Sequence, residues 1–67
     1  MMEFKIGQRV KFTEEELANY KDDITPYARF VRKLSKQRMI VTDIDEIGFV
    51  QINNEWMFNP DMLEVVK

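Results

Sequence analysis

The chain has 67 residues, with 10 lysines and arginines against 12 aspartates and glutamates, and no histidine or cysteine. This length predicts a single domain over residues 1–67, because so short a chain supports only one hydrophobic core. The missing cysteine and histidine exclude thiol chemistry, disulfides, Cys/His metal sites and the usual neutral-pH general base.

No apolar run approaches the roughly 18 residues that a membrane span requires. Residues 1–5 lead into an apolar segment that is too short, and too interrupted by charge, to be a signal peptide. The sequence therefore predicts a cytoplasmic protein with no membrane association.

Apolar and polar residues alternate at the start of the chain. Phe4, Ile6, Val10 and Phe12 recur with a period of two, and Gly7 marks a bend or bulge within the run. This pattern predicts a first β-strand that contributes one face to the core.

Two helix-start signals follow this strand. Thr13 begins a capping-box spacing, which predicts a short helix over residues 14–20. Thr25 followed by Pro26 is the stronger signal, because threonine caps helices well and proline suits the first helical position. It predicts an amphipathic helix over residues 25–36.

This second predicted helix has two faces. Tyr27, Phe30, Val31 and Leu34 recur at helical spacing and form an apolar stripe. The opposite side and the residues after it are basic: Arg29, Arg32, Lys33, Lys36 and Arg38. Cations at this spacing can line a phosphate backbone or meet an acidic protein, and the alternative is an ordinary solvated helix face.

The remainder of the chain changes to short β-branched runs separated by turn residues. Four more strands are predicted, at residues 39–45, 49–53, 55–58 and 63–66. Tight turns are predicted at residues 45–48 and 53–54, and a turn or single 3₁₀ turn at residues 59–62. The residues expected in the core are Ile6, Val10, Phe12, Phe30, Leu34, Ile40, Val50, Ile52 and Leu63.

Residues 6–12, IGQRVKF, are similar to the IGxxVxF opening strand of SH3-like barrels. Residues 56–66 resemble the closing pattern of that superfamily, a Trp-bearing strand, a Pro-initiated 3₁₀ turn and a last short strand. The resemblance covers residues 3–12 and 39–66. It implies a mainly β fold, a small barrel of about five strands with the amphipathic helix inserted after the first. The alternative is an α+β domain with the helix on an open antiparallel sheet.

The chain departs from the functional motifs of this superfamily. The ALYDY motif of peptide-binding SH3 domains and the glycine-centred motif of KOW domains are both missing. Recognition of PxxP peptides is therefore not implied. In size and style the chain resembles short bacterial and phage SH3-like proteins, which implies a phage or prophage origin.

Aromatic side chains form the second set of candidates. Tyr20, Tyr27, Phe49 and Trp56 either fill the core or line a groove for a peptide or an alkylated cation. Alternation places Trp56 and Phe58 on the same face of their strand. At least one of the four candidates is expected to line a binding surface, since Trp and Tyr are favoured there.

Metal and catalytic sites are not expected. Asp43, Asp45 and Gly48 match part of a calcium loop, but its fifth and twelfth positions hold neither a side-chain ligand nor a bidentate glutamate. These acidic residues instead suggest a hairpin tip, with Asp43 or Asp45 paired across strands to Arg9 or Lys11. We expect no cofactor, no metal and no enzymatic activity.

These observations predict a non-enzymatic binding or regulatory module. A protein is the expected partner, and nucleic acid bound through the basic helix face is the alternative. Salt dependence separates the two, because binding to nucleic acid weakens steeply as salt is added.

Overall fold

The computed structural model describes residues 4–67. Residues 1–3 lie outside this range. They include Glu3, where the SH3-like match begins, and part of the segment considered as a signal peptide. The elements, in chain order, are β1 (Arg9–Phe12), α1 (Glu14–Asn19), α2 (Pro26–Ser35), β2 (Met39–Ile44), β3 (Val50–Ile52), β4 (Met57–Phe58), a 3₁₀ turn (Pro60–Met62) and β5 (Leu63–Val65).

The five strands form one antiparallel sheet in the order β4-β3-β2-β1-β5. The sheet is open rather than closed, with β4 and β5 at its edges. Both helices lie between β1 and β2 in the chain. A small antiparallel sheet of five strands with a helix after the first strand is therefore confirmed. The sheet is open, as in the α+β alternative, and does not close into the predicted barrel.

The register of β1 differs from the predicted charge pairing. Arg9 lies opposite Ile40 in β2, and Lys11 lies opposite Glu64 in β5. The Lys11 ammonium and the Glu64 carboxylate are 3.9 Å apart. The prediction that Asp43 or Asp45 faces these cations is wrong, because β2 runs antiparallel to β1 and both aspartates lie past Ile40, beyond the end at which β1 begins.

Both helices begin where the capping residues predict. The Thr13 hydroxyl accepts a hydrogen bond from the Glu16 amide at 3.2 Å, and the Thr25 hydroxyl accepts one from the Ala28 amide at 3.2 Å. Pro26 occupies the first turn of α2, where a missing N–H has no consequence.

The core lies where α2 packs on the sheet. Val31 and Leu34 of α2 join buried side chains from every strand. Of the predicted core, Phe30 and Ile40 are only partly buried. The predicted core residues that the structure buries are Val10, Phe12, Leu34, Val50, Ile52 and Leu63.

Ile6 is the wrong core prediction, since its side chain is 66% exposed. Gly7 has a φ of 91°, and the Gln8 amide donates to the Lys5 carbonyl at 3.0 Å. This turn breaks the period-two alternation before β1 begins. Phe4, on the other side of the turn, is buried instead.

The β2–β3 connection forms the tight turn that the sequence predicts. The Gly48 amide donates to the Asp45 carbonyl at 3.1 Å, and Gly48 has a φ of 95°. The Asp45 carboxylate accepts hydrogen bonds from the amides of Ile47 and Phe49 at 3.0 and 2.9 Å. The carboxylate therefore holds the turn.

Candidate binding surface

Trp56 lies against α2 as part of a row of aromatic rings. Its ring centre is 5.1 Å from that of Phe30 and 5.6 Å from that of Tyr27, and both pairs are tilted. Tyr27 in turn meets Tyr20 edge to face at 5.6 Å. Trp56 remains 52% exposed, and both tyrosines are partly buried. We call these four residues the Trp56 surface, and three of them are predicted candidates.

The same row of rings continues into the core. Phe30 stacks on Phe58 at 6.3 Å, and Phe58 meets Phe12 edge to face at 5.2 Å. Phe58 is 1% exposed. Trp56 and Phe58 thus both approach Phe30, as their alternation predicts. The exposed indole therefore packs on partly buried rings, and one of these, Phe30, stacks on the buried Phe58.

A two-residue turn places Trp56 at this position. Asn53 and Asn54 have φ values of 52° and 60°, as the sequence predicts for a tight turn. The Asn53 side chain accepts from the Ile40 amide at 2.9 Å and donates to the Arg38 carbonyl at 3.0 Å. The turn that carries Trp56 is therefore tied to the start of β2.

Phe49 is a predicted candidate that the structure does not bring to this surface. It precedes β3, whereas the Asn53-Asn54 turn follows β3, so Phe49 and Trp56 lie at opposite ends of the strand. Within residues 4–67, the Phe49 ring has no aromatic partner. It is half-buried beside the β2–β3 turn.

Three predicted cations form an exposed stripe on α2 and its C-cap. Arg29, Lys33 and Lys36 are exposed and recur at helical spacing, and Arg38 is exposed just beyond the helix. Across residues 4–67, the one cation–carboxylate pair within 4.0 Å is Lys11–Glu64. We call Arg29, Lys33 and Lys36 the α2 cationic face.

Arg32 does not belong to this face. Its Nη1 donates to the carbonyl oxygens of Tyr20 and Asp23, the second at 2.6 Å, and its side chain is half-buried. The prediction that Arg32 projects into solvent with the other cations is wrong. Its position on the helix faces α1, where free carbonyls at the end of a helix need donors.

The surroundings of Tyr27 change the pKa of its phenol. Burial raises the pKa of Tyr27, with further contributions from the neighbouring Tyr20 and Glu16. One Glu16 carboxylate oxygen is buried without a hydrogen-bond partner in the described part of the chain. At the start of α2, the Thr25 backbone amide is the main cause that lowers the pKa of Asp23.

A groove lies along each side of α2. The groove between α2 and the β3–β4 turn has a volume of about 230 Å³. The α1–α2 groove has a volume of about 360 Å³. The first is lined by Phe30, Lys33, Leu34, Gln37 and Glu55. The second is lined by Glu14, Leu17, Ala18, Lys21, Arg32, Ser35 and Lys36.

The α1 side of the second groove is a feature that was not predicted from the sequence. Glu14, Leu17 and Ala18 stand at i, i+3 and i+4, so the predicted helix over residues 14–20 places them on one face. This spacing could have indicated that α1 contributes to a groove. Whether these side chains line one depends on how α1 packs beside α2, which the spacing does not determine.

Residues 4–67 contain no group of three or more carboxylates placed to hold a metal ion. None of the helices in this range combines the length and the apolar character needed to cross a bilayer. No family model, curated protein or solved structure was found to match the chain.

Proposed function

We propose that this chain is a small non-enzymatic binding module that docks a protein partner on the Trp56 surface. The observation that carries the proposal is the half-exposed indole of Trp56, whose position is supported by Phe30 and Tyr27. Tryptophan and tyrosine are enriched at protein interfaces, because a rigid ring buries a large area at a low entropic cost.

We further propose that the scaffold is SH3-like. Support comes from the end of the chain, where β4, the 3₁₀ turn at Pro60–Met62 and β5 follow the order of the superfamily's closing pattern. The open sheet and the missing ALYDY motif are the departures from it. A cytoplasmic location and a phage or bacterial origin belong to the same proposal and rest on the sequence.

Nucleic acid is the second candidate partner. It is favoured by the α2 cationic face and Arg38, which have no carboxylate within 4.0 Å among residues 4–67. An exposed indole near such cations could also stack on a base. We place protein first because the formal net charge of −2 gives poor long-range attraction to phosphate.

The proposal is tested by comparing proteins captured from host lysate by the immobilised chain and by two variants. Trp56→Ala removes the exposed indole, and Ile47→Ala removes a side chain that is 78% exposed at the distant β2–β3 turn. We expect a captured protein that Ile47→Ala retains and Trp56→Ala loses. Equal capture by both variants would remove the basis of the proposal.

A mobility-shift titration with random single-stranded DNA and RNA tests the alternative. A nucleic-acid binder would shift these probes at low salt, lose the shift steeply as salt rises, and lose it again in Arg29→Glu/Lys33→Glu. We expect no shift with the parent chain. A salt-sensitive shift that this double variant abolishes would place nucleic acid first.

A further inference from the structure

The α1–α2 groove combines apolar side chains with a basic rim. On α1, Leu17 is half-buried and Ala18 is exposed, and the exposed Lys21 and Lys36 form the rim. Trp56, Tyr20 and Tyr27 do not line this groove. It is therefore a second surface, separate from the one on which the proposed function rests.

The charges of the groove favour an anion. Neither Lys21 nor Lys36 has a carboxylate within 4.0 Å in the described range, and Arg32 adds a third positive charge to the lining. Glu14 is the one acidic residue among the lining residues. The groove thus offers three cations against one anion, around apolar atoms.

We infer that the α1–α2 groove docks an acidic peptide segment that carries one apolar anchor side chain. The anchor would cover Leu17 and Ala18, and carboxylates on either side of it would meet Lys21 and Lys36. Apolar contact supplies binding free energy, while the complementary charges select the partner and orient it.

Other anionic partners fit the groove less well. No aromatic side chain lines it, so a nucleic acid would find no ring on which to stack its bases. A planar anionic membrane would bring its charge against Glu14 and Glu15, which are exposed at the start of α1, whereas a peptide can place its carboxylates beside Lys21 and Lys36 alone. The aliphatic atoms of Leu17 and Ala18 offer apolar contact to a single side chain of a peptide.

The test uses the full chain and a fluorescein-labelled synthetic peptide whose central leucine is flanked by glutamates, followed by fluorescence anisotropy. Parallel titrations use a peptide with lysines in place of the glutamates, single-stranded DNA, and vesicles containing phosphatidylserine. We expect binding of the acidic peptide alone. Binding of DNA or vesicles without binding of the acidic peptide would overturn the inference, as would no binding at all.

Two charge-reversal variants locate the binding site. Lys21→Glu/Lys36→Glu changes the groove rim, and Arg29→Glu/Lys33→Glu makes the same change in net charge on exposed positions outside the groove. We expect the first to weaken peptide binding about tenfold and the second to change it by less than about twofold. Equal weakening would indicate nonspecific attraction and overturn the inference.

Folding of each variant is checked by circular dichroism and thermal melting. Lys36 lies at the C-terminal end of α2, where a glutamate opposes the helix dipole. Lys21→Glu alone avoids that position and is still expected to weaken binding several-fold. Trp56→Ala is expected to bind the acidic peptide as the parent does, since Trp56 lies outside the groove.

Discussion

Arg32 donates a hydrogen bond to the carbonyl oxygen of Tyr20, the residue that caps the C-terminus of α1. The same nitrogen donates to the carbonyl of Asp23, in the connection to α2. α1 has six residues, and none of them is fully buried. A helix that short is unstable in isolation, so we infer that Arg32 holds it against the rest of the domain.

Replacing Arg32 by alanine is therefore expected to destabilise the protein by roughly 1–3 kcal/mol, because two carbonyls lose a charged donor. Urea unfolding measures the change. Lys33→Ala, one residue along α2 and exposed, is the control and is expected to stay within about 0.5 kcal/mol of the parent. Equal stability of the two variants would contradict this role for Arg32.

The turn below Trp56 gives a second prediction. Asn53→Ala is expected to lower stability by roughly 1–3 kcal/mol, because the Ile40 amide and the Arg38 carbonyl lose their side-chain partner. Asn54→Gly is expected to be neutral, since glycine readily adopts the positive φ of 60° at that position. Thermal melting of both variants measures the difference. An Asn53→Ala variant as stable as the parent would show that the two hydrogen bonds of the Asn53 side chain are dispensable.

Tyr27 gives a prediction about pH. Its folded-state pKa is raised above the ordinary 10.0, so folding favours the neutral phenol. The resulting stabilisation is complete below pH 10.0 and is lost as pH rises through the folded-state pKa. The free energy of unfolding should therefore fall as pH rises from 10.0 through the folded-state pKa of Tyr27. Tyr27→Phe should remove this part of the decline.

Phenolate absorbance during a pH titration provides the direct readout. Burial is the main cause of the raised pKa of Tyr27. Tyr20→Phe is therefore expected to bring this pKa only part of the way back to its ordinary value. A Tyr27 that ionises at or below its ordinary pKa in the folded protein would contradict its partly buried position.

Two isoleucines provide a matched test of the core. Ile52 is 0% exposed, and Ile52→Ala is expected to cost about 2–5 kcal/mol. Ile6 is 66% exposed, and Ile6→Ala is expected to stay within about 0.5 kcal/mol of the parent. Denaturant unfolding of both variants makes the comparison, and similar losses would place Ile6 in the core after all.

The features predicted well from the sequence depend on neighbours in the chain. Thr13 and Thr25 cap helices through amides three residues ahead, and Asn53 and Asn54 adopt the left-handed backbone that a tight turn needs. The apolar stripe of α2 also follows directly from helical spacing. Local chemistry determines each of these features, so their positions could be read before any tertiary contact was known.

The features predicted wrongly depend on distant contacts or on one backbone angle. Arg32 finds its acceptors 9 and 12 residues away, so its helical spacing alone suggested a solvent-exposed cation. The turn at Gly7 moved Ile6 out of the core.

The short edge strands bear on the solubility of the folded protein. β4 has two residues and β5 has three, and Pro60, just after β4, has no N–H to offer. Edge-to-edge aggregation requires a run of free backbone donors and acceptors that another chain can match. These edges offer only short runs, so the folded sheet is a poor template for amyloid-like growth even though it is open.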